Sequence, residues 1–403
     1  MNSIATRLYW HDAYLRSFEA AVSDRTTVNG QPAVTLTASA FYPTGGGQPF
    51  DTGLLNDVAV TNVIADDERI WHLLDGCLAA GAVHGQISWP RRYDHMQQHT
   101  GQHILSQAFI LGCGAETVAF HLGAESTTID LNRATLGPAE LEAAETLANQ
   151  VISENRAVAG RFVTPDELPA IPLRRPPAAR DRVRIVEIAG FDWSACGGTH
   201  VRQTAEVGQI KIRQSERRGA ETRVEFLCGQ RTLADYRRKQ ETVQALINRL
   251  STAEDELPAA VDRLQERLRE VQRQLRDAQA EWVEAESARL WAGASAAGPW
   301  RMARAYLDNR PPEVIKALAS ALRGRAGCIA LLACEISPQS GGQIFCAAAD
   351  DVTLDVGQIM AEAAAAGARG GGRGTWAQGG AASGILLRQA FDAASAALTR
   401  LVS

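Results

Sequence analysis

The chain has 403 residues, 45% of them hydrophobic, and 41 Lys and Arg against 46 Asp and Glu give a formal net charge of −5. That length predicts several domains, and the acidic balance excludes a molecule that binds nucleic acid through bulk charge, leaving any RNA contact to local patches. Seven cysteines without a C-x-x-C pair exclude a disulfide framework and predict a reducing, cytoplasmic setting; Met1–Phe18, with Arg7, His11, Asp12 and Arg16, has no signal-peptide core, and no apolar run reaches the ~18 residues of a membrane span.

Residues 1–90 read as β-rich. Ala33–Ala38 alternates and Val58–Ile64 is a β-branched run, with Gly30, Asp51-Thr52-Gly53 and Asp75-Gly76 as turns, a pattern that predicts a small β-barrel. Phe41-Tyr42-Pro43-Thr44-Gly45-Gly46-Gly47-Gln48-Pro49 lies inside it. Three successive glycines can cradle a phosphate or make a tight corner, and the residues alone favour the corner.

Residues 91–230 carry the densest chemistry. His99 and His103 stand at i, i+4, so a helix sets both imidazoles on one face; Asp94 is the expected N-cap, and Met96, Ile104, Leu105, Ala108 and Phe109 supply the apolar spacing. His95 makes an overlapping pair with His99. A strand over 126–131, a helix over 138–155 and a proline-interrupted loop from Pro165 to Pro177 follow. Val183–Ile188 then leads into Cys196-Gly197-Gly198-Thr199-His200, and two alternating strands follow at 208–212 and 222–226. H-x-x-x-H with C-x-x-x-H is a donor set that suits tetrahedral Zn2+, against a background in which either pair alone is weak. Two basic stretches, Arg174, Arg175, Arg180, Arg182 and Arg184, then Lys211, Arg213, Arg217, Arg218 and Arg223, are expected to touch RNA or to be solvated faces.

Residues 231–290 show a 3-4 apolar seam from Val243 through Val261, Leu264, Leu268, Val271 and Leu275 to Trp282, broken at Pro258. That predicts a helical hairpin or a coiled-coil dimer arm. Residues 291–403 alternate helix and strand as a small α/β domain, with Gly370-Gly371-Gly372-Arg373 as a Gly-rich loop or a phosphate-contacting element.

The split motif H-T-G-Q-H … C-G-G-T-H resembles the zinc motif of alanyl-tRNA editing domains. F-Y-P-T-G-G-G-Q-P-F-D-T-G and the GGGR segment resemble the longer AlaX proteins and alanyl-tRNA synthetases, in that order along nearly the whole chain. The resemblance implies an α+β multidomain chain: a barrel at 1–90, a zinc editing domain at 91–230, an arm at 231–290 and a C-terminal domain at 291–403. It implies zinc held by His99, His103, Cys196 and His200, with His95 as a flank, and pocket groups at Gln102, Thr117, His121 and Asp192. It implies RNA contact through Gly371, Gly372 and Arg373, beside the contact expected from Arg217 and Arg218 of the second basic stretch. The implied activity is hydrolysis, in trans, of Ser-tRNA(Ala) or Gly-tRNA(Ala), without aminoacylation. A tRNA-binding module with structural zinc, and editing of threonine tRNA, are the alternatives. Residues 232–403 are expected to raise tRNA affinity or to form a homodimer, with no membrane partner.

Overall fold

The computed structural model describes residues 5–66, 69–178, 180–337 and 341–402. The first four positions of the Met1–Phe18 stretch, and 67–68, 179, 338–340 and 403 within the expected domain ranges, lie outside the described residues. The chain separates into two units, Met1–Leu246 and Ile247–Ser403. The expected boundary at 230/231 therefore falls inside the first unit.

The N-terminal alternation forms six strands: β1 (Ser17–Val28), β2 (Gln31–Leu36), β3 (Gly53–Leu55), β4 (Val58–Asp66), β5 (Arg69–Leu74) and β6 (Ala82–Ile87). They pair in the cyclic order β1-β2-β5-β4-β3-β6, so the sheet closes on itself. Asn29 and Gly30, both at positive φ, make the two-residue turn between β1 and β2, where Val28 faces Gln31. Leu36, Phe41, Leu55, Val63, Ile70 and Leu74 fill the interior.

Helix α1 (Trp89–Cys113) starts five residues before the expected cap at Asp94. Ser88 caps it in extended conformation, and Pro90 occupies its first turn, where a missing N–H costs nothing. Asp94 instead accepts two hydrogen bonds from Arg231, at 2.8 and 2.7 Å. Gly114, at φ +68°, ends the helix, its N–H bonding Ile110 O. α1 is buried around most of its circumference between His95 and Ser106. Gly101 is required there, because a Cβ would overlap Cys228 Sγ.

Helix α1 packs with α2 (Pro138–Ser153) on an antiparallel sheet of β7 (Thr117–Leu122), β8 (Thr127–Leu131), β12 (Ile210–Arg218) and β13 (Glu221–Cys228), in the order β12-β13-β8-β7. Ile104, Leu105, Ala108 and Phe109 of α1 meet Ala144, Ala148 and Val151 of α2 over Ile129, Val224 and Phe226. A second sheet, β9 (Val158–Val163), β10 (Val183–Ile188) and β11 (Asp192–Ala195), delivers the Cys196 turn. Helix α3 (Gln230–Leu250) is tied at its start to the first unit: Arg231 holds Asp94, and Thr232 Oγ1 donates to Gln209 O at 3.0 Å.

The second unit takes in the last turn of α3 and then α4 (Leu257–Ala292), whose seam residues Val261, Leu264, Leu268, Val271 and Leu275 are exposed. Its six-stranded sheet joins β14 (Ser295–Ala297), β15 (Trp300–Asp308), β16 (Cys328–Ser337), β17 (Gly341–Ala348), β18 (Arg369–Arg373) and β19 (Trp376–Ala381) in the order β14-β15-β16-β17-β19-β18. On β16, Ile329, Leu331 and Ala333 enter one core, while Cys328, Ala330, Leu332 and Cys334 enter another. A strand buried on both faces reads as an unbroken apolar run. Helices α6 (Val356–Ala365) and α7 (Gly384–Val402) cover the first face and α5 (Pro312–Arg323) the second. The Gly370–Arg373 stretch is no loop but the exposed edge strand β18, since a Cβ at Gly370 or Gly372 would overlap the backbone of β19.

Across the first unit runs one fully buried ion pair. Arg92 of α1 bonds both oxygens of Asp51, with Nε at 3.1 and 3.0 Å, and donates to Ala13 O at 2.9 Å and Ala40 O at 2.5 Å. Asp51 Oδ2 also accepts from Tyr42 N at 2.7 Å. Asp51→Ala leaves a buried guanidinium without its counter-charge, so unfolding free energy should drop by about 3–5 kcal/mol. Urea denaturation followed by circular dichroism reads this as a lower midpoint; an unchanged midpoint would refute it.

Candidate metal centre

His99, His103, Cys196 and His200 bring one ligand atom each to within 4.8 Å of one another. α1 supplies the first two from adjacent turns, and the turn after β11 supplies the others. The three histidines are buried and Cys196 is half-buried. Cys196 Sγ lies 3.4 Å from His99 Nε2 and 3.3 Å from His200 Nε2. Gly198 lets the turn lie against the first helix pair: a Cβ there would overlap the His99 ring. Gly198 thus serves the close approach of backbone to an imidazole.

Each imidazole is held from outside the cluster through Nδ1. His99 Nδ1 donates to Gln48 Oε1 at 2.8 Å, and His103 Nδ1 donates to Asp192 Oδ2 at 3.1 Å. His200 Nδ1 lies 3.1 Å from Thr100 Oγ1. Fixing Nδ1 leaves Nε2 as the ligand nitrogen, the arrangement that orients metal-binding histidines. Gln48 is itself locked, donating to Thr199 Oγ1 at 2.8 Å while its Oε1 accepts from Thr199 N at 3.1 Å. The Gly-rich motif is therefore more than a corner: it reaches the cluster through Gln48, and Gly47 O accepts from Leu122 N of β7 at 3.0 Å.

The electrostatics agree with a cation site. Burial pushes the Cys196 thiol up, but His99 and His200 outweigh it and hold the thiol well below its usual range. Burial drives His200 down to about 3, which keeps it neutral. Burial lowers His103 as well, yet the Asp192 hydrogen bond leads a net rise. Asp192 stays low although burial opposes it, because His103 and then Arg174 favour its anion. A thiolate with imidazole nitrogens is a donor set that zinc takes. His95 stands apart; it is buried, lowered to about 3 by desolvation, and outside the four-residue group.

A cavity of about 520 Å3 meets the cluster at Cys196 and is lined by Gln102 and Thr117. Gln102 Nε2 donates to Ser106 Oγ at 2.8 Å, and Thr117 Oγ1 donates to the same oxygen at 2.6 Å, so buried Ser106 joins two of the expected pocket residues. A second cavity, of about 460 Å3, also reaches Cys196, and His121, exposed on β7, lines neither. Arg174, Arg175, Arg180, Arg182 and Arg184 all line this cavity, whose one acidic lining residue is Glu116. Arg174 Nε lies 3.6 Å from Asp192 Oδ1, and Arg184 Nη1 donates to Cys196 O at 3.0 Å and Gly198 O at 2.9 Å.

The second basic stretch behaves differently. Lys211 pairs with Glu145, Arg213 with Glu225, Arg218 with Glu216 and Arg223 with Asp130. Arg217 caps its own turn through Gly219 O at 3.2 Å. Gly371, Gly372 and Arg373 sit exposed on β18 of the second unit. Sequence reasoning missed Gln48, Thr100, Ser106 and Trp10, whose indole Nε1 donates to Gly197 O at 2.9 Å.

The family described as "Threonyl and Alanyl tRNA synthetase second additional domain" matches residues 183–225, which hold β10, β11 and the Cys196 turn. The alanyl-tRNA editing protein AlaX-M of Methanosarcina acetivorans is 34% identical over 54% of this chain and 95% of its own length. AlaX-L of Pyrococcus horikoshii is 32% identical over 57% of this chain and 59% of its own length. The alanine–tRNA ligase of Pyrococcus furiosus is 33% identical over 62% of this chain, which spans only 29% of that enzyme. No helix among the described residues is long and apolar enough to cross a membrane.

Wild-type protein should bind one zinc per chain by metal analysis, and Cys196→Ala should bind none. Asp192→Asn and Gln48→Leu, which disturb only the Nδ1 partners, should weaken zinc by about 10- to 100-fold in competition with a chelator. Equal zinc retention in Cys196→Ala and wild type would remove the assignment.

Proposed function

The chain belongs to the alanyl-tRNA editing protein family, and from that premise we propose that it hydrolyses the ester of mischarged tRNA(Ala), releasing serine or glycine. The observation that carries this reading is the position of the cluster: its one half-buried ligand, Cys196, opens onto a cavity walled by five arginines. An amino acid ester on a polyanionic carrier is the substrate such a site suits. The need is physical, since a pocket that accepts alanine cannot exclude glycine by size and rejects an added hydroxyl only modestly.

His99, His103, Cys196 and His200 would hold the zinc, which when bound supplies Lewis acidity toward an ester carbonyl or water. Asp192 is a positioning residue that holds the Nδ1 proton of His103. Gln102 turns its amide N–H2 to Ser106, which supports a reading in which its carbonyl oxygen accepts a donor from the bound aminoacyl group. Thr117 acts through the same hydroxyl. Arg174 brings a permanent charge beside the cluster, suited to a developing oxyanion. His121 has no place in this scheme.

We read the closed six-stranded sheet as the small β-barrel of the longer editing proteins and α4 as the coiled-coil arm. Its exposed seam favours a second copy of the chain as occupant: Val261, Leu264, Leu268, Val271 and Leu275 keep strict 3-4 spacing, flanked by Gln265, Gln272 and Gln279. The RNA contact of the first unit moves from Arg217 and Arg218 to Arg180 and Arg182, which have no ion-pair partner among the described residues, while β18 with Arg373 remains the contact of the second.

Purified protein should deacylate Ser-tRNA(Ala) and Gly-tRNA(Ala) and spare Ala-tRNA(Ala), and Cys196→Ala should lose this while staying folded by circular dichroism. Persistent deacylation by folded, zinc-free Cys196→Ala would leave the zinc purely structural. Truncation after Leu246, which keeps the Arg231 anchor, should raise KM for mischarged tRNA with kcat largely intact. A collapse of kcat on an acceptor-stem minihelix would assign chemistry to the second unit. Leu268→Glu should shift the sedimentation coefficient from dimer to monomer.

A further inference from the structure

The cavity beside Cys196 holds a feature that ester hydrolysis does not need: two aromatic rings interleaved with arginines. Trp10 comes from the start of the chain, and its indole N–H bonds Gly197 O, next to a metal ligand. Its ring meets Phe162 of β9 edge to face, with centroids 5.3 Å apart and planes at 69°. The Arg7 guanidinium carbon sits 4.6 Å from the Trp10 ring, and that of Arg182 sits 5.4 Å from Phe162. Trp10, Phe162, Arg180 and Arg182 all line the cavity that Cys196 lines. Among the described residues neither Arg180 nor Arg182 has a carboxylate within ion-pair distance, in contrast to the stretch from Lys211 to Arg223.

Rings alternating with guanidiniums along one groove are how proteins hold single-stranded nucleic acid: bases stack on the rings and cations track the phosphates. The distances in an aminoacyl ester of RNA impose the rest. The scissile bond sits on the ribose of the last nucleotide, so the base of that nucleotide lies one ribose away from the reacting carbonyl. A carbonyl at the Cys196 side of the cavity puts that base on the neighbouring wall, where Trp10 and Phe162 stand. About 520 Å3 falls within the range of a site for one small organic ligand.

We propose that Trp10 and Phe162 form the stacking subsite for the 3′-terminal base of the RNA, with Arg180 and Arg182 on its phosphate. This rests on the deacylase reading of the same cavity. It assigns to the first residues of the chain a direct contact with substrate.

Full-length, zinc-loaded protein is titrated with the trinucleotide CCA as RNA, and with the same trinucleotide lacking its 3′ base, by fluorescence anisotropy at low salt. Wild type should prefer the intact trinucleotide by roughly 10- to 100-fold, the worth of one base on an aromatic ring. Trp10→Ala should remove that preference and leave the abasic trinucleotide bound as before. Trp10→Phe, which keeps a ring but loses the bond to Gly197 O, should stay within about threefold of wild type. Phe162→Leu should lose part of the preference. Inorganic phosphate should compete with both trinucleotides equally.

Wild type that binds both trinucleotides alike overturns the subsite, as does Trp10→Ala that weakens both alike, or Trp10→Phe that is as poor as Trp10→Ala. The last two outcomes would make Trp10 a support for the Cys196 turn. The deacylase reading is tested separately on the same samples with Ser-tRNA(Ala). Normal deacylation without base preference removes only the subsite; base preference without deacylation removes the hydrolytic reading and leaves the subsite standing.

Discussion

The buried pair Arg92–Asp51 is the constraint on which the site depends. Two ions without solvent exposure carry a desolvation penalty that their mutual attraction offsets only when every remaining donor and acceptor is used. Here they are used: Arg92 spends its other N–H groups on Ala13 O and Ala40 O, and Asp51 receives Tyr42 N as well. The acceptors and donors come from segments before and after the Gly-rich motif. Its two ends, Tyr42 and Asp51, are therefore closed onto each other and onto α1. Between them stands Gln48, aimed at His99. A surface salt bridge could not impose such a register, because its partners would keep water as an alternative.

The consequence is a composite site. α1 gives two imidazoles, the Cys196 turn gives a thiolate and a third imidazole, and the closed sheet gives the amide that orients His99. These pieces are far apart in sequence and each is polar, yet the core of the first unit is built around them. Gln98 shows how α1 tolerates this burial: its amide donates to Cys228 O at 2.9 Å and accepts from Cys228 N at 3.0 Å, replacing a strand partner. A buried amide paired at both its ends fixes one arrangement of α1 against β13.

This explains what was legible in the sequence. Ligand spacing at i, i+4 and two-residue periodicity are local, so the H-x-x-x-H helix, β4, β8, β10 and α2 could be read directly. The start of α1 has its own local signal, Pro90 one residue into a segment capped by Ser88, which competes with Asp94 as a helix start. The partners of the imidazoles carried none. Gln48 with His99, Thr100 with His200 and Asp192 with His103 are pairings across 51, 100 and 89 residues, and no periodicity encodes them. Of the two readings of the Gly370–Arg373 stretch, a loop or a phosphate-contacting element, neither gives the strand, because glycine lowers strand propensity and close approach to β19 is what a composition argument cannot register. Nor does composition separate the two basic stretches, since pairing with Glu145, Glu225 and Asp130 is a property of the fold.

Four protein ligands pose a difficulty, because a filled tetrahedron usually marks a structural ion. The burial of the ligands is uneven, however. Three imidazoles are enclosed and pinned through Nδ1, while the Cys196 side chain sits on the cavity wall in a turn whose neighbour, Gly197, is bonded to Trp10. In the zinc reading proposed above, pinned ligands would resist displacement, so any change in the set would occur at Cys196. Gln102 and Arg174 line both cavities that reach Cys196, and each is anchored away from it, Gln102 on Ser106 and Arg174 on His103 O at 3.4 Å. Anchored groups that face the least constrained ligand are the ones able to contact a molecule entering there. The side of the cluster that opens, and the residues that would read its visitor, thus follow from which imidazole nitrogens are already committed.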